Sequence, residues 1–327
     1  APQPETLRYL NYVADKFDLR RDIEFNARVK SARYDSQAQD WTIETENGKS
    51  ASAPFLLQAM GCLSAPYIPE IAGFESFNGD SWHTSTWPHE SVDLSDKRVG
   101  VIGTGATAVQ MITEIAKNVG DLTVFQRTPN YCKPLRNGPI TAAEQAEIKA
   151  NYAETFERCN NTFGGFVHGA DERCAFDVSE EERLAFYEEL WAGKGFSFWL
   201  GNFSDILSDE KANETVGAFV REKIRARLDD PAVADLLVPT DHLFGTKRQP
   251  MESGYYEAYN RPNVHLIDLH ETPIECFTEQ GLKTSGASYA FDIVIFATGF
   301  DAVTGALNRV DIRGEDDHAL KDKRDDG

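Results

Sequence analysis

The sequence has no apolar run approaching the roughly 18 residues a membrane-crossing helix needs. Its opening, APQPETLRYL, has no basic stretch followed by an apolar one, so no secretory signal is expected. It also lacks an initiating Met, as expected of a processed or partial chain. Cysteine is scarce. The five, Cys62, Cys132, Cys159, Cys174 and Cys276, are odd in number and show no CxxC spacing. Neither a disulfide framework nor a metal site is suggested, and reduced thiols in a cytoplasmic protein are expected. Basic residues are outnumbered 33 to 53, which gives a net charge of −20. Such a chain is unsuited to binding nucleic acid or an anionic membrane. An anionic cofactor would have to be met by local positive charge. Glycine is nearly missing from the first 60 residues, where Gly48 stands alone, so no glycine-rich phosphate loop lies there.

What is present suits a folded protein of two domains. Apolar residues make up 41%, enough for a core. At roughly 150 residues per domain, 327 residues suggest two. Leu7, Leu10, Val13, Ala14 and Phe17 fall at helical spacing. The stretches 28–34 and 41–45 alternate as strands, and Asn47-Gly48 is a hairpin signal. The apolar run 53–60, ending at Gly61, reads as a return strand. Residues 62–96, rich in Pro, Gly and aromatics, read as a linker. Residues 141–238 read as a largely helical insertion, with Ser179 and Glu182 as a capping box. Strands return from Val264.

The strongest motif is RVGVIGTGATAVQ, residues 98–110. An apolar strand runs into G-x-G-x-x-A and then a helix, and a second strand follows at Leu122–Phe125. Gly103 allows the tight turn, Gly105 lets the backbone approach a pyrophosphate, and Ala108 lets helix and strand pack closely. The candidate binding segment is Gly103, Thr104, Gly105, Ala106, Thr107, Ala108, Val109 and Gln110, with the amides of Thr104 to Thr107 turned toward phosphate. NAD proteins usually place an acidic residue at the end of the second strand, to hold the ribose 2′-hydroxyl. Here Arg127 and Thr128 stand there, and a guanidinium fork suits a 2′-phosphate. NADP(H) is therefore expected, with a solvated strand-end Arg127 as the plainer alternative.

FDIVIFATGF, residues 291–300, reads as a buried parallel strand leaving at Ala297, Thr298 and Gly299. Residues 53–61 have the same strand-then-glycine form. Two such exits around one nucleotide-binding unit suggest one nucleotide domain interrupted by another.

At FNGDSWHTSTWP, residues 77–88, the chain resembles the type I Baeyer–Villiger monooxygenases. Their fingerprint, F-x-G-x-x-x-H-x-x-x-W and then Pro or Asp, is matched by Phe77, Gly79, His83, Trp87 and Pro88. Related N-oxygenating enzymes usually have Tyr or Phe where Trp87 stands. The resemblance runs from PETLRYL to ALKDK and is nearest to the phenylacetone and cyclohexanone monooxygenase group. It implies FAD and NADP(H) as cofactors and a small ketone and O2 as reactants. It further implies oxygen insertion beside the carbonyl through a C4a-peroxyflavin, giving an ester or lactone. By the same resemblance, Lys247 in GTKR joins Arg127 and Thr128 at the 2′-phosphate. Arg248 is then the catalytic cation and also part of the NADP site, and Val29 touches the flavin adenine through its backbone. The residues alone would make Lys247-Arg248 a solvated loop. His83 is expected to orient the linker, not to carry a proton.

The family's flavin loop, an active-site Asp and a C-terminal segment have no counterpart here, so an internal fragment is expected, one that holds FAD weakly. The expected architecture is α/β, with two Rossmann-type domains. An incomplete FAD domain (1–61 and 291–327) and the linker (62–96) adjoin an NADP domain (97–140 and 239–290) that carries the insertion (141–238). The alternatives are N- or S-oxygenation and an NADP-binding remnant without catalysis. A disulfide reductase would share the nucleotide signals but needs a redox cysteine pair, which is missing.

Overall fold

The structure, a computed structural model, describes residues 2–324. The expected domain limits at residues 1 and 325–327 lie outside the described residues. The chain divides into two compact units, Ala1–Pro66 with Phe300–Gly327, and Tyr67–Gly299.

In the first unit, helix α1 (Gln3–Lys16) opens with Pro in its first turn, where the missing N–H costs nothing. It buries no residue, and Leu7 and Leu10 stay exposed. Strands β1 (Val29–Asp35), β2 (Asp40–Thr45) and β3 (Ser50–Ala53) form an antiparallel meander. Gly48, at φ +83°, takes the hairpin position that side chains resist. The strand Asp311–Arg313 adds in parallel beside β1, and Arg33 bonds Asp311 at 2.8 Å and Asp317 at 2.9 Å.

The run 53–60 corrects the sequence expectation. Beyond Ala53 it forms no strand, and Phe55 and Leu57 are exposed. A continuous apolar strand needs paired neighbours to satisfy its backbone. No strand among the described residues pairs with it.

The second unit is built on a parallel sheet. In chain order it comprises β4 (Asp80–His83), β5 (Arg98–Ile102), α2 (Ala106–Ile115), β6 (Asp121–Gln126) and the short β7 (Lys133–Pro134). The insertion follows, with α3 (Ala142–Ala150), α4 (Tyr152–Asn160), α5 (Glu180–Ala192), α6 (Ser197–Leu200), α7 (Glu210–Arg225) and α8 (Pro231–Leu237). The chain then returns through β8 (Met251–Glu252), α9 (Tyr255–Ala258), β9 (Val264–Asp268), β10 (Ile274–Thr278), β11 (Gly281–Thr284), β12 (Ser288–Ala290) and β13 (Ile293–Phe296). The sheet order is β4-β13-β5-β6-β9, parallel throughout. Strands β10 to β12 form an antiparallel sheet of their own.

Strand β13 shows both the reach and the limit of pattern reading. It is fully buried and parallel, as its apolar run implies. It nevertheless lies between β4 and β5, in the sheet of the second unit, and the unit boundary falls at Gly299, not at residue 291. Apolarity reports burial on both faces and is silent on which neighbours supply it. For the same reason β4 is a sheet edge inside the stretch read as a linker.

Helix α2 buries Ala108, Val109, Ile112 and Ile115 at helical spacing. They share a core with Val99, Val101, Leu122 and Val124 of the sheet and with Tyr187, Phe198 and Phe219 of the insertion. Ser179 and Glu182 close the capping box of α5, as the sequence suggests. Among the described residues, no helix is long and apolar enough to cross a membrane.

Candidate nucleotide-binding site

The site begins where β5 ends. Gly103 has φ +105°, and a Cβ there would lie 2.6 Å from the Ala297 carbonyl oxygen. Only glycine can turn the chain this close to the exit of β13. The Gly103 amide donates to Phe125 at 2.9 Å, and the Ala297 amide donates to Ile102 at 2.9 Å, so the three strand exits are laced together. Gly105 then caps α2 from open space, with no atom near its missing side chain. This leaves the helix N-terminus accessible to an anion.

A cavity of about 460 Å³ opens over this turn. Gly103, Thr104, Gly105, Arg127, Thr128, Lys247, Ala297, Thr298 and Gly299 all line it, although Lys247 is 120 residues from Arg127 in the chain. Its cationic side is Arg127 and Lys247, both exposed. Its apolar side includes Ile71, Ile102, Phe125, Leu269 and Ile274. A cradle of free amides, two cations and an apolar wall fits a phosphorylated dinucleotide.

The predicted residues separate by what they touch. Ala106 and Thr107 form the first turn of α2. Ala108 is fully buried against the sheet, a packing role. Val109 departs from expectation: its side chain is fully buried and its amide donates to Gly105, so neither is left for a ligand. Gln110 is exposed on α2 and does not line the cavity. Arg248 does not line it either; its guanidinium sits 5.5 Å from the Phe196 ring centre. Val29 opens β1 of the first unit, opposite Thr45.

The 77–88 stretch locks β4 to the sheet. Phe77 packs on Phe277 at 5.6 Å, and a Cβ on Gly79 would lie 2.6 Å from the Asp292 carbonyl. Trp82 and Trp87 pack at 5.6 Å, and Pro88 follows half-buried. His83 is buried. Its Nδ1 accepts from the Ser85 amide at 3.1 Å, which leaves the proton on Nε2 to donate to Gly299 at 2.9 Å.

Sequence reasoning missed Asn130. It lines the cavity, and its Nδ2 donates to the Thr104 carbonyl at 2.7 Å, while the Thr104 hydroxyl donates to the Thr128 carbonyl at 2.8 Å. These bonds latch the glycine turn to the Arg127–Thr128 exit. A polar residue just past a strand exit is only a weak sign of this in sequence. The apolar wall was equally invisible, because Leu269 and Ile274 read as ordinary strand residues.

A parallel sheet whose glycine turn opens on a cationic cavity defines a dinucleotide-binding α/β protein. Its relatives agree. A model of the pyridine nucleotide-disulphide oxidoreductases matches residues 1–171. The chain is 47% identical over 328 residues to a 2-oxo-Δ3-4,5,5-trimethylcyclopentenylacetyl-CoA monooxygenase of Pseudomonas putida, across 98% of this chain and 60% of that protein. It is 42% identical over 327 residues to a Baeyer–Villiger monooxygenase of Pseudooceanicola batsensis, across 99% and 59%. The crystal structure of OTEMO complexed with FAD and NADP superposes with a TM-score of 0.97 at 46% identity, across 100% of this chain and 62% of that one. The chain belongs to the pyridine nucleotide-disulphide oxidoreductase family, and the relatives it matches include a Baeyer–Villiger monooxygenase. It spans about 60% of the length of these relatives. All five of its cysteines are free, and no two of them show CxxC spacing.

Proposed function

We propose that the second unit is the NADP(H)-binding part of an FAD- and NADPH-dependent Baeyer–Villiger monooxygenase. The reaction inserts one oxygen atom of O2 beside the carbonyl of a small ketone and yields an ester or lactone. The observation that carries this reading is the convergence of Gly103–Gly105, Arg127, Thr128 and Lys247 on one cavity.

The amides of the α2 N-terminus would hold the pyrophosphate, since they are donors without helical acceptors and lie at the positive end of the helix dipole. Arg127 and Lys247, with the Thr128 hydroxyl, would hold the 2′-phosphate. Their fixed charge answers the repulsion an acidic chain presents to this anion. When bound, NADPH supplies hydride and FAD the oxygen chemistry. The Arg248 guanidinium is suited to stabilise negative charge developing on a substrate oxygen. His83 has both ring nitrogens engaged, which suits a positioning role for Gly299.

The first unit is read as belonging to the FAD domain, with the Val29 backbone at the adenine. Its described residues hold no glycine-rich strand-to-helix turn, so they do not by themselves form a cradle for the FAD pyrophosphate. Five free cysteines favour a cytoplasmic setting, and the net charge of −20 favours a protein without nucleic-acid or membrane partners.

The test is calorimetric titration of the chain with NADP+ and NAD+. NADP+ is expected to bind at least about tenfold more tightly, the equivalent of roughly 1.4 kcal/mol. Equal affinity, or no binding of either, overturns the reading.

A further inference from the structure

Lys133 is fully buried on β7, and no carboxylate among the described residues pairs with it. Its ammonium donates instead to the carbonyls of Gly193 at 2.6 Å, Gly195 at 3.3 Å and Pro134 at 3.4 Å. A buried lysine is costly and needs a reason. Gly193 and Gly195 form the turn between α5 and α6, and the next residue, Phe196, carries on its ring the guanidinium of Arg248. The backbone repeats this connection. The Gly195 amide donates to Leu135 at 3.2 Å, the Lys133 amide donates to Pro250 at 3.0 Å, and β7 pairs with β8 in parallel. Thus β7 is tied on one side to the Phe196 turn and on the other to the segment that follows Arg248.

We propose that Lys133 is a positioning residue: its ammonium holds the Gly193–Phe196 turn in place, and the turn sets where the Arg248 guanidinium stands, one residue along the chain from Lys247 of the nucleotide site. This rests on the reading of Arg248 as part of that site. The charged form is needed, because an ammonium offers three donors to carbonyls that would otherwise be buried with fewer partners. Burial pushes Lys133 down to about 8, with Arg136 adding to the effect. His168, itself lowered by burial, Arg158 and Lys133, is the other titratable group facing it. Lys194 in the same turn is exposed and lies 3.9 Å from Glu144.

The experiment is a double-mutant cycle on NADP+ affinity, read by calorimetry on the 327-residue chain at pH 7. Arg248→Ala is expected to weaken binding about tenfold and Lys133→Met about fivefold. The double variant should match Arg248→Ala alone, because the clamp acts only through that guanidinium. Phe196→Leu, which keeps volume but removes the ring face, repeats the cycle without touching a buried charge and decides the matter if Lys133→Met fails to fold. Wild-type affinity should also fall above pH 8, and that fall should vanish in Lys133→Met. Multiplicative losses in the cycles, or the same pH profile in both proteins, overturn the proposal. If the wild type binds no NADP+, the functional reading fails on its own. Hydrogen exchange then decides the clamp: Lys133→Met must speed exchange at 245–249 as well as at 193–196, and a change confined to 193–196 refutes it.

Discussion

His83 donates through Nε2 to the Gly299 carbonyl at 2.9 Å, across 216 residues of sequence. The bond ties the end of β4 to the exit of β13, where Ala297, Thr298 and Gly299 border the cavity. Thr298 adds a second tie through its hydroxyl to the Tyr67 carbonyl. Replacing His83 by Ala removes a buried donor, takes the acceptor from the Ser85 amide, and leaves the Gly299 carbonyl with the Tyr67 amide at 3.0 Å. The expected loss of stability is about 2–3 kcal/mol in urea unfolding. His83→Gln, which can donate once, should recover part of it. An Ala variant as stable as the wild type would show that the tie carries no energy.

Gly103 tests the turn itself. At φ +105°, with the Ala297 carbonyl 2.6 Å from any Cβ, alanine has neither the conformation nor the room. Gly103→Ala should push the turn away from β13 and weaken NADP+ binding by about a hundredfold or more. Gly105→Ala meets open space in the free protein, so it should fold normally and lose affinity only where the ligand backbone approaches. Normal NADP+ affinity in Gly103→Ala would refute the geometric argument.

The glycine turn was legible because strand, turn, helix and second strand follow one another within about 30 residues. Local order of this kind leaves a local trace. Lys247 was legible only through resemblance to the family. On residues alone it is an ordinary loop cation, and nothing nearby says that the fold returns it to Arg127. Strand β13 was recognised as buried and parallel, yet assigned to the other unit, because a run of Ile and Val does not name its neighbours. Asn130 and Lys133 were missed for a related reason. Their partners are main-chain carbonyls, which have no identity in a sequence.

The cationic wall should determine which nicotinamide is chosen. Arg127→Ala and Lys247→Ala each remove one charge expected to meet the 2′-phosphate. Each should weaken NADP+ by about five- to thirtyfold and leave NAD+ within about twofold, since NAD+ has no such phosphate. Titrating both nucleotides against both variants checks this. Equal weakening of NADP+ and NAD+ would place these cations at the pyrophosphate and leave the 2′-phosphate without a partner.

Asp292 supplies a pH-dependent tie at the far end of the same sheet. Its carboxylate accepts from the Arg98 amide at 2.8 Å and pairs with the Arg98 guanidinium at 2.8 Å, joining the starts of β13 and β5. These bonds hold it down to about 2 in the folded chain. A carboxyl whose folded value lies below its unfolded value stabilises the fold above the unfolded value, near 4, and loses that contribution as pH falls toward 2. Arg98 is half exposed and Asp292 about a third, so solvent screens the pair, and a gain of about 0.5–1 kcal/mol is expected, not the full linkage value. Asp292→Asn should therefore be less stable than the wild type by about that amount at pH 7. The two unfolding curves should converge between pH 4 and pH 2. A gap that persists unchanged at pH 2 would mean that the asparagine disturbs packing at Gly79 and Phe291, and that the charge of Asp292 contributes nothing to the fold.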